Sequence, residues 1–305
     1  MSRKGEKDIY PAKILLIGEY GIVLGGSGFS VPYHDYSGSL QFYSGDKQFS
    51  QEYSMSSQSI CQLLKYMIRQ NYDFEFIDLE SMRYDYAGGL WFCSDIPMGY
   101  GLGSSGALVA ALYARYRLSK TTDIREIRNH LSLMESYFHG SSSGIDPCVS
   151  FLNEPLLFND LHAPKPLSGW IVEKAGLHIW LVDTGQKEKT IRLVDWFKAK
   201  MVQDEFRFRT EEDYLRTNQK IIEDIQQGNP ISIADIRIIS RYQLDYLSLM
   251  IPDGFRKHFL AGMSSCDFAF KLCGSGGGGY MLCYSTDDSV TMDYFEKEGL
   301  KYRKL

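Results

Sequence analysis

Gly99, Gly101 and Gly103, followed at once by Ser104, Ser105 and Gly106, make the stretch of this chain around which the rest can be organised. It opens at Pro97 and carries one apolar residue, Leu102, among the glycines. Glycines at this density let the backbone turn tightly and come close to a ligand. The residues that follow, 107–118, are rich in alanine and leucine and read as a helix. The loop therefore stands at a helix N-terminus, where open N–H groups and the positive end of the helix dipole favour an anion. A phosphate fits that description. No Gly-Lys-Ser/Thr ends the stretch, so it is not a Walker loop. Ser104 and Ser105 instead offer two hydroxyls where a nucleotide-bound magnesium ion could sit. Taken alone, a glycine-rich turn that only caps a helix explains the same residues.

Two carboxylates and a lysine stand out elsewhere in the chain. Glu135 lies four residues after Leu131 and three before Phe138, so it points along the apolar stripe of its helix, where a carboxylate needs a partner. Residues 139–146, His-Gly-Ser-Ser-Ser-Gly-Ile-Asp, form a small glycine-bounded loop that can present Asp146 into a cleft. A surface turn before Pro147 is the plainer reading of the same aspartate. Lys13 stands at the start of an apolar strand, as a snorkelling lysine also would. Residues 274–279, Gly-Ser-Gly-Gly-Gly-Gly, lie between two apolar runs, and close approach of backbone to a ligand explains them better than a flexible loop.

The elements that must position these groups follow from periodicity. Residues 12–17, 29–33, 39–43, 74–79 and 90–94 read as strands, and 57–70 as an amphipathic helix with Ile60, Leu63, Leu64, Met67 and Ile68 on its buried face. Asp123 with Glu126 suggests a capping box for a helix carrying Ile124, Ile127, Leu131, Met134 and Phe138 and ending at Gly140. Pro155, Pro164 and Pro166 interrupt regular structure over 153–168, so the domain boundary is expected there, giving domains 1–168 and 169–305. Beyond it, 177–182, 268–272 and 280–284 read as strands, and 191–206, 211–227 and 231–250 as helices.

Composition narrows the class. With 305 residues, 44% of them apolar, two domains with a packed core are expected. A net charge of −5 and the lack of a basic block argue against a nucleic-acid surface. Six scattered cysteines show no metal-binding spacing, and Cys93 and Cys283 read as small buried hydrophobes. Residues 1–8 are charged and carry no apolar segment, and no run reaches membrane-spanning length. The cytoplasm is the expected compartment, without a membrane or nucleic-acid partner, and a monomer or homodimer the expected state.

Residues 97–106 match the pattern P-x-G-x-G-L-G-S-S-[AG] at every fixed position and so resemble the second motif of the GHMP kinases, the family of galactokinase, homoserine kinase, mevalonate kinase and phosphomevalonate kinase. Residues 11–20 resemble the first motif, P-G-K-[IV]-x-L-x-G-E-H, with Ala12 for Gly and Tyr20 for His, and 271–279 resemble the third, K-L-T-G-A-G-G-G-G. Residues 139–146 are similar to the mevalonate kinase loop H-G-x-P-S-G-x-D, and Glu135 stands eleven residues before Asp146, as in that family. Asp183, Thr184 and Thr190 echo a further mevalonate kinase segment.

The resemblance implies an α+β, two-domain GHMP kinase fold, with a ribosomal S5 domain 2-like N-terminal domain and a ferredoxin-like C-terminal domain. It implies ATP and Mg²⁺ as cofactors, with the phosphates on Pro97, Gly99, Gly101, Leu102, Gly103, Ser104, Ser105 and Gly106. Asp146 becomes the catalytic carboxylate with Lys13 beside it, and Ser105 and Glu135 the magnesium ligands. Glu19, Tyr20, Ser143, Gly144, Thr184, Gly276 and Gly277 fall on the substrate side. The implied reaction is phosphorylation of the primary hydroxyl of mevalonate to 5-phosphomevalonate, a step of isoprenoid precursor synthesis. Gly-Glu-Tyr over 18–20 is more typical of phosphomevalonate kinases, and a sugar kinase or a non-catalytic ATP- and sugar-binding sensor are the remaining alternatives.

Overall fold

The continuous apolar run 14–17 forms the second half of β1 (Tyr10–Ile17), every residue of which is buried. A computed structural model describes residues 8–159, 162–187 and 193–305. Two compact units divide the chain, and both are discontinuous in sequence. One takes the residues up to Lys13, Pro32–Pro97 and Leu102–Glu154, and the other Ile14–Val31, Met98–Gly101 and Pro155–Leu305.

In the first unit, α1 (Ser50–Arg69) buries Ile60, Leu63, Leu64 and Met67 and packs on α2 (Leu79–Ala87) and β3 (Leu90–Ser94). Ile68 departs from the expected face and is 47% exposed. β3 pairs antiparallel with the far half of β2 (Gly28–Phe42), Gly38 opposite Ser94 through Phe42 opposite Leu90. The two strands expected over 29–33 and 39–43 are thus one. Its polar middle runs along an exposed side, and Gly38 stays in the ladder because the Phe92 ring fills the place of a side chain there. No strand forms over 74–79. The Asp78 carboxylate instead accepts from the Ser81 N–H at 3.0 Å and caps α2.

α3 (Ser104–Tyr116) is apolar all round and buried along almost its whole length, packed by α4 (Ile124–His139) and α5 (Ile145–Leu152). Asp123 caps α4 by accepting from the Arg125 N–H, while Glu126 accepts from Thr121 rather than closing a capping box. Gly140 ends α4 at φ 76° as expected. α5 has no counterpart among the helices expected from periodicity. Its Ser150 hydroxyl donates to the Pro11 carbonyl at 2.8 Å, which ties the helix to the start of β1.

In the second unit, the start of β2 pairs with β4 (Leu156–Asn159), which pairs in turn with β5 (His162–Pro166). The strand order is β1-β2-β4-β5, so the prolines of β5 fall on an edge strand, where a missing N–H is tolerated. A four-stranded antiparallel sheet of β6 (His178–Asp183), β7 (Phe268–Leu272), β8 (Tyr280–Ser285) and β9 (Lys301–Lys304) has the order β7-β8-β6-β9. Helices α6 (Leu193–Lys200), α7 (Asp204–Arg209), α8 (Arg216–Gln227), α9 (Ile233–Tyr246) and α10 (Arg256–Ser264) separate β6 from β7, and α11 (Asp288–Glu298) separates β8 from β9. This is the βαββαβ order of a ferredoxin-like sheet with an enlarged first crossover. The single helix expected over 191–206 breaks between α6 and α7, and residues 191–192 lie outside those described. Cys283 is buried as expected, whereas Cys93 is only half-buried. Among the described residues no helix is long and apolar enough to cross a membrane.

Candidate active site

Gly99, Gly101 and Gly103 all adopt positive φ, 76°, 76° and 72°. Gly103 is the N-cap of α3, and no side chain caps the helix, so its first-turn N–H groups remain open to an anion. Pro97 and Ser104 are half-buried, Leu102 is buried, and the Leu102 carbonyl accepts from the Lys13 N–H at 3.0 Å. A Cβ on Gly103 would lie 2.9 Å from Lys13 Cγ, and one on Gly106 would lie 2.9 Å from the Asp146 backbone carbon. The glycines of the α3 entry therefore serve a second purpose. They let β1 and α5 come close enough for Lys13 and Asp146 to meet.

That meeting is the centre of the site. Lys13 Nζ lies 3.0 Å from Asp146 Oδ2, with the lysine side chain 6% exposed and the aspartate 36%. Asp146 is in the first turn of α5, whose N-cap Gly144 has φ 72° and leaves no room for a side chain against the Arg128 carbonyl. Residues 140–144 are fastened to α4. Ser132 Oγ donates to the Ser142 carbonyl at 2.6 Å, the Ser142 N–H donates to Ser136 Oγ at 3.1 Å, and Arg128 Nε donates to the Ser143 carbonyl at 2.8 Å. Ser143 itself is exposed and Gly144 buried.

Glu135 is 4% exposed on α4, as its place on the apolar stripe implies. Burial first, and the charge of Asp146 second, push its carboxyl up to about 8, against hydrogen bonds from Ser142 and Ser105 and the positive charge of Lys13. The Ser142 hydroxyl donates to Glu135 and accepts from the Gly144 N–H at 2.9 Å. Ser105 Oγ also lies 3.0 Å from His139 Nε2. Lys13, Ser105, Glu135 and Asp146 thus share one cluster, and Ser142 and His139 join it. Sequence reasoning does not single out Ser142; within a run of three serines, only the loop geometry distinguishes it. Two neighbouring carboxylates, one of them held off ionisation, suit a divalent cation. Among the described residues no three His, Cys, Asp or Glu side chains gather around a metal position, so the donor set fits an ion shared with phosphate oxygens.

Five of the residues expected on the substrate side, Glu19, Tyr20, Thr184, Gly276 and Gly277, lie in the second unit. The Glu19 side chain has no exposed surface and pairs with Lys271 Nζ, with the Tyr214 hydroxyl donating to it at 3.3 Å. Desolvation raises its pKa, and Lys271 opposes that rise. Tyr20 is 1% exposed and its hydroxyl donates to the Ser275 carbonyl. Thr184 Oγ1 donates to the Gly279 carbonyl at 2.7 Å. Gly276 and Gly277 are buried against Met250, where the Gly277 N–H donates to the Met250 carbonyl at 2.6 Å. Glu19, Tyr20, Gly276 and Gly277 are buried in this structure, and Thr184 is half-buried. Thr190 lies outside the described residues.

Residues 63–154, which hold the α3 entry loop, Glu135 and Asp146, match the family described as GHMP kinases N terminal domain. No curated protein matches the chain by sequence. Among solved structures, L. major mevalonate kinase in complex with R-mevalonate is 17% identical with a TM-score of 0.59, covering 97% of this chain and 93% of that one. Streptococcus pneumoniae phosphomevalonate kinase in complex with phosphomevalonate and AMPPNP is 16% identical with a TM-score of 0.63, covering 98% and 100%. Lactococcus lactis galactokinase complexed with galactose is 12% identical with a TM-score of 0.64, covering 97% and 92%. The matched segment and the fold define the class: residues 63–154 carry a GHMP kinase N-terminal domain, and the chain as a whole shares the fold of these kinases. The members of that family are ATP-dependent small-molecule kinases.

Proposed function

We propose that this kinase transfers the γ-phosphoryl group of ATP to the primary hydroxyl of mevalonate. The observation that carries the reading is the Lys13–Asp146 pair, 3.0 Å apart beside the N-terminus of α3. Asp146, the more exposed of the two, orients the acceptor hydroxyl and takes its proton, and Lys13 stabilises the negative charge that develops on the attacking oxygen. The open N–H groups at the start of α3 bind the phosphates, which in phosphoryl transfer is most of the catalytic work. Ser105 and Glu135 would hold Mg²⁺, with Ser142 orienting the Glu135 carboxylate. The ion, when bound, would neutralise charge on the phosphate oxygens.

Mevalonate as acceptor is supported by the 139–146 loop and by the spacing of Glu135 from Asp146. It is also the ligand of the L. major mevalonate kinase that shares the fold. Gly-Glu-Tyr over 18–20, a sequence more typical of phosphomevalonate kinases, keeps phosphomevalonate as a second reading. Acceptor-dependent ADP release, compared for mevalonate and phosphomevalonate at equal Mg·ATP, tests both. A higher kcat/KM on phosphomevalonate replaces the first reading with the second, and no release with either removes both.

A further inference from the structure

The glycine loop 274–279 joins β7 to β8 with positive φ at Gly274, Gly276, Gly277, Gly278 and Gly279. So many glycines leave a loop with large conformational freedom, and a fixed shape has to be imposed from outside it. The fastenings are visible. Gly277 N–H donates to Met250, Gly279 N–H donates to the Gln186 carbonyl at 2.7 Å, and Thr184 donates to the Gly279 carbonyl through both N–H and hydroxyl. At its crown the Ser275 carbonyl accepts from the Tyr20 hydroxyl, and the Tyr20 ring is held against Phe197 with centroids 4.8 Å apart. At its root Lys271, wholly buried, pairs with Glu19 and also donates to the Leu272 carbonyl at 2.9 Å.

The same loop touches residues 100 and 101, the front of the phosphate-loop glycines, within its own unit. A Cβ on Gly101 would lie 2.9 Å from the Cys273 carbonyl oxygen, and one on Gly279 would lie 2.6 Å from Tyr100 Cα. The Tyr100 and Tyr280 rings are 5.2 Å apart. Backbones this close cannot shift independently, so the course of Gly101 follows the course of 273–279.

From this we infer that Tyr20, with the Glu19–Lys271 pair beneath it, is a positioning residue for the nucleotide and not a selector of the acceptor. Tyr20 fixes the glycine loop, and the glycine loop fixes the Gly101 backbone. The inference rests on the reading that ATP phosphates lie along that backbone. It also accounts for a tyrosine at this position: the para-hydroxyl extends beyond the reach of an imidazole and donates to the Ser275 carbonyl.

Tyr20→Phe keeps the ring packing and removes the hydrogen bond to the Ser275 carbonyl, so the full chain remains folded, which its melting temperature verifies. Calorimetric titration of Mg·ADP should show affinity weakened by about 2–10-fold, the worth of one neutral hydrogen bond. Amide exchange over 274–279 should accelerate by a similar factor, and the KM for the acceptor should stay within about twofold. Unchanged nucleotide affinity, unchanged loop exchange, or an effect confined to the acceptor KM each overturns the inference. A wild-type chain that binds no Mg·ADP removes the nucleotide reading and this inference together; wild-type binding with an indifferent Tyr20→Phe removes the inference alone.

Discussion

Glu135→Gln removes an ionisable group from a buried position while keeping its shape and an oxygen for the Ser142 hydroxyl. In the unfolded chain the Glu135 carboxyl loses its proton near 4.5, and in the folded chain burial and Asp146 delay that loss to about 8. Folding therefore takes up a proton between these values. The stability associated with Glu135 is present in full below pH 4.5, falls as pH rises through 8, and then levels off. Each pH unit of that window changes the folding free energy by about 1.4 kcal/mol, and the window amounts to on the order of 5 kcal/mol. Screening around the partly exposed Asp146 reduces the gap that would be read to roughly 2–4 kcal/mol. Urea unfolding of wild type and Glu135→Gln from pH 5 to 9, without nucleotide or magnesium, measures it. The variant should gain on the wild type as pH rises, with the gap widest near pH 9. Parallel curves, or a wild type that gains on the variant with rising pH, would show that Glu135 ionises freely and would refute the electrostatic reading of the cluster.

Asp146→Asn should lower kcat by about 10²–10⁴ with a small change in the KM for ATP, measured by coupled ADP release. Gly103→Ala forces a side chain onto φ 72° and against Lys13, so it should cost about 1–3 kcal/mol in urea unfolding and lower kcat in parallel. Lys271→Met strips the buried partner from Glu19 and should destabilise by about 3–5 kcal/mol, and the double variant Glu19→Gln/Lys271→Met should recover much of the loss. Equal destabilisation in the single and double variants would contradict that pairing.

The parts of the site that lie close in sequence are legible from the residues themselves. The α3 entry loop is a local device, glycine turns feeding a helix, and Glu135 stands out as a carboxylate on the apolar stripe of α4. Long-range placement is not legible in the same way. Glu19 and Lys271 sit in separate motifs, and nothing in either segment says that burial brings them onto each other rather than onto a ligand. The fold shows the same division. Apolar runs such as 14–17 and 280–284 form strands, whereas 74–79 has strand-like residues but yields to the Asp78 cap of α2. α5 is hidden by Pro147, which is tolerated in the first turn of a helix because the N–H it lacks would have no partner there.

Acceptor-dependent release of ADP by the full-length chain, with mevalonate, phosphomevalonate, homoserine and galactose at equal Mg·ATP, tests the central claim most directly. Release should depend on the acceptor, with the highest kcat/KM on mevalonate, and should fall by about 10²–10⁴ in Asp146→Asn. Release independent of any acceptor, or near-normal turnover in Asp146→Asn, would contradict the assignment of this site.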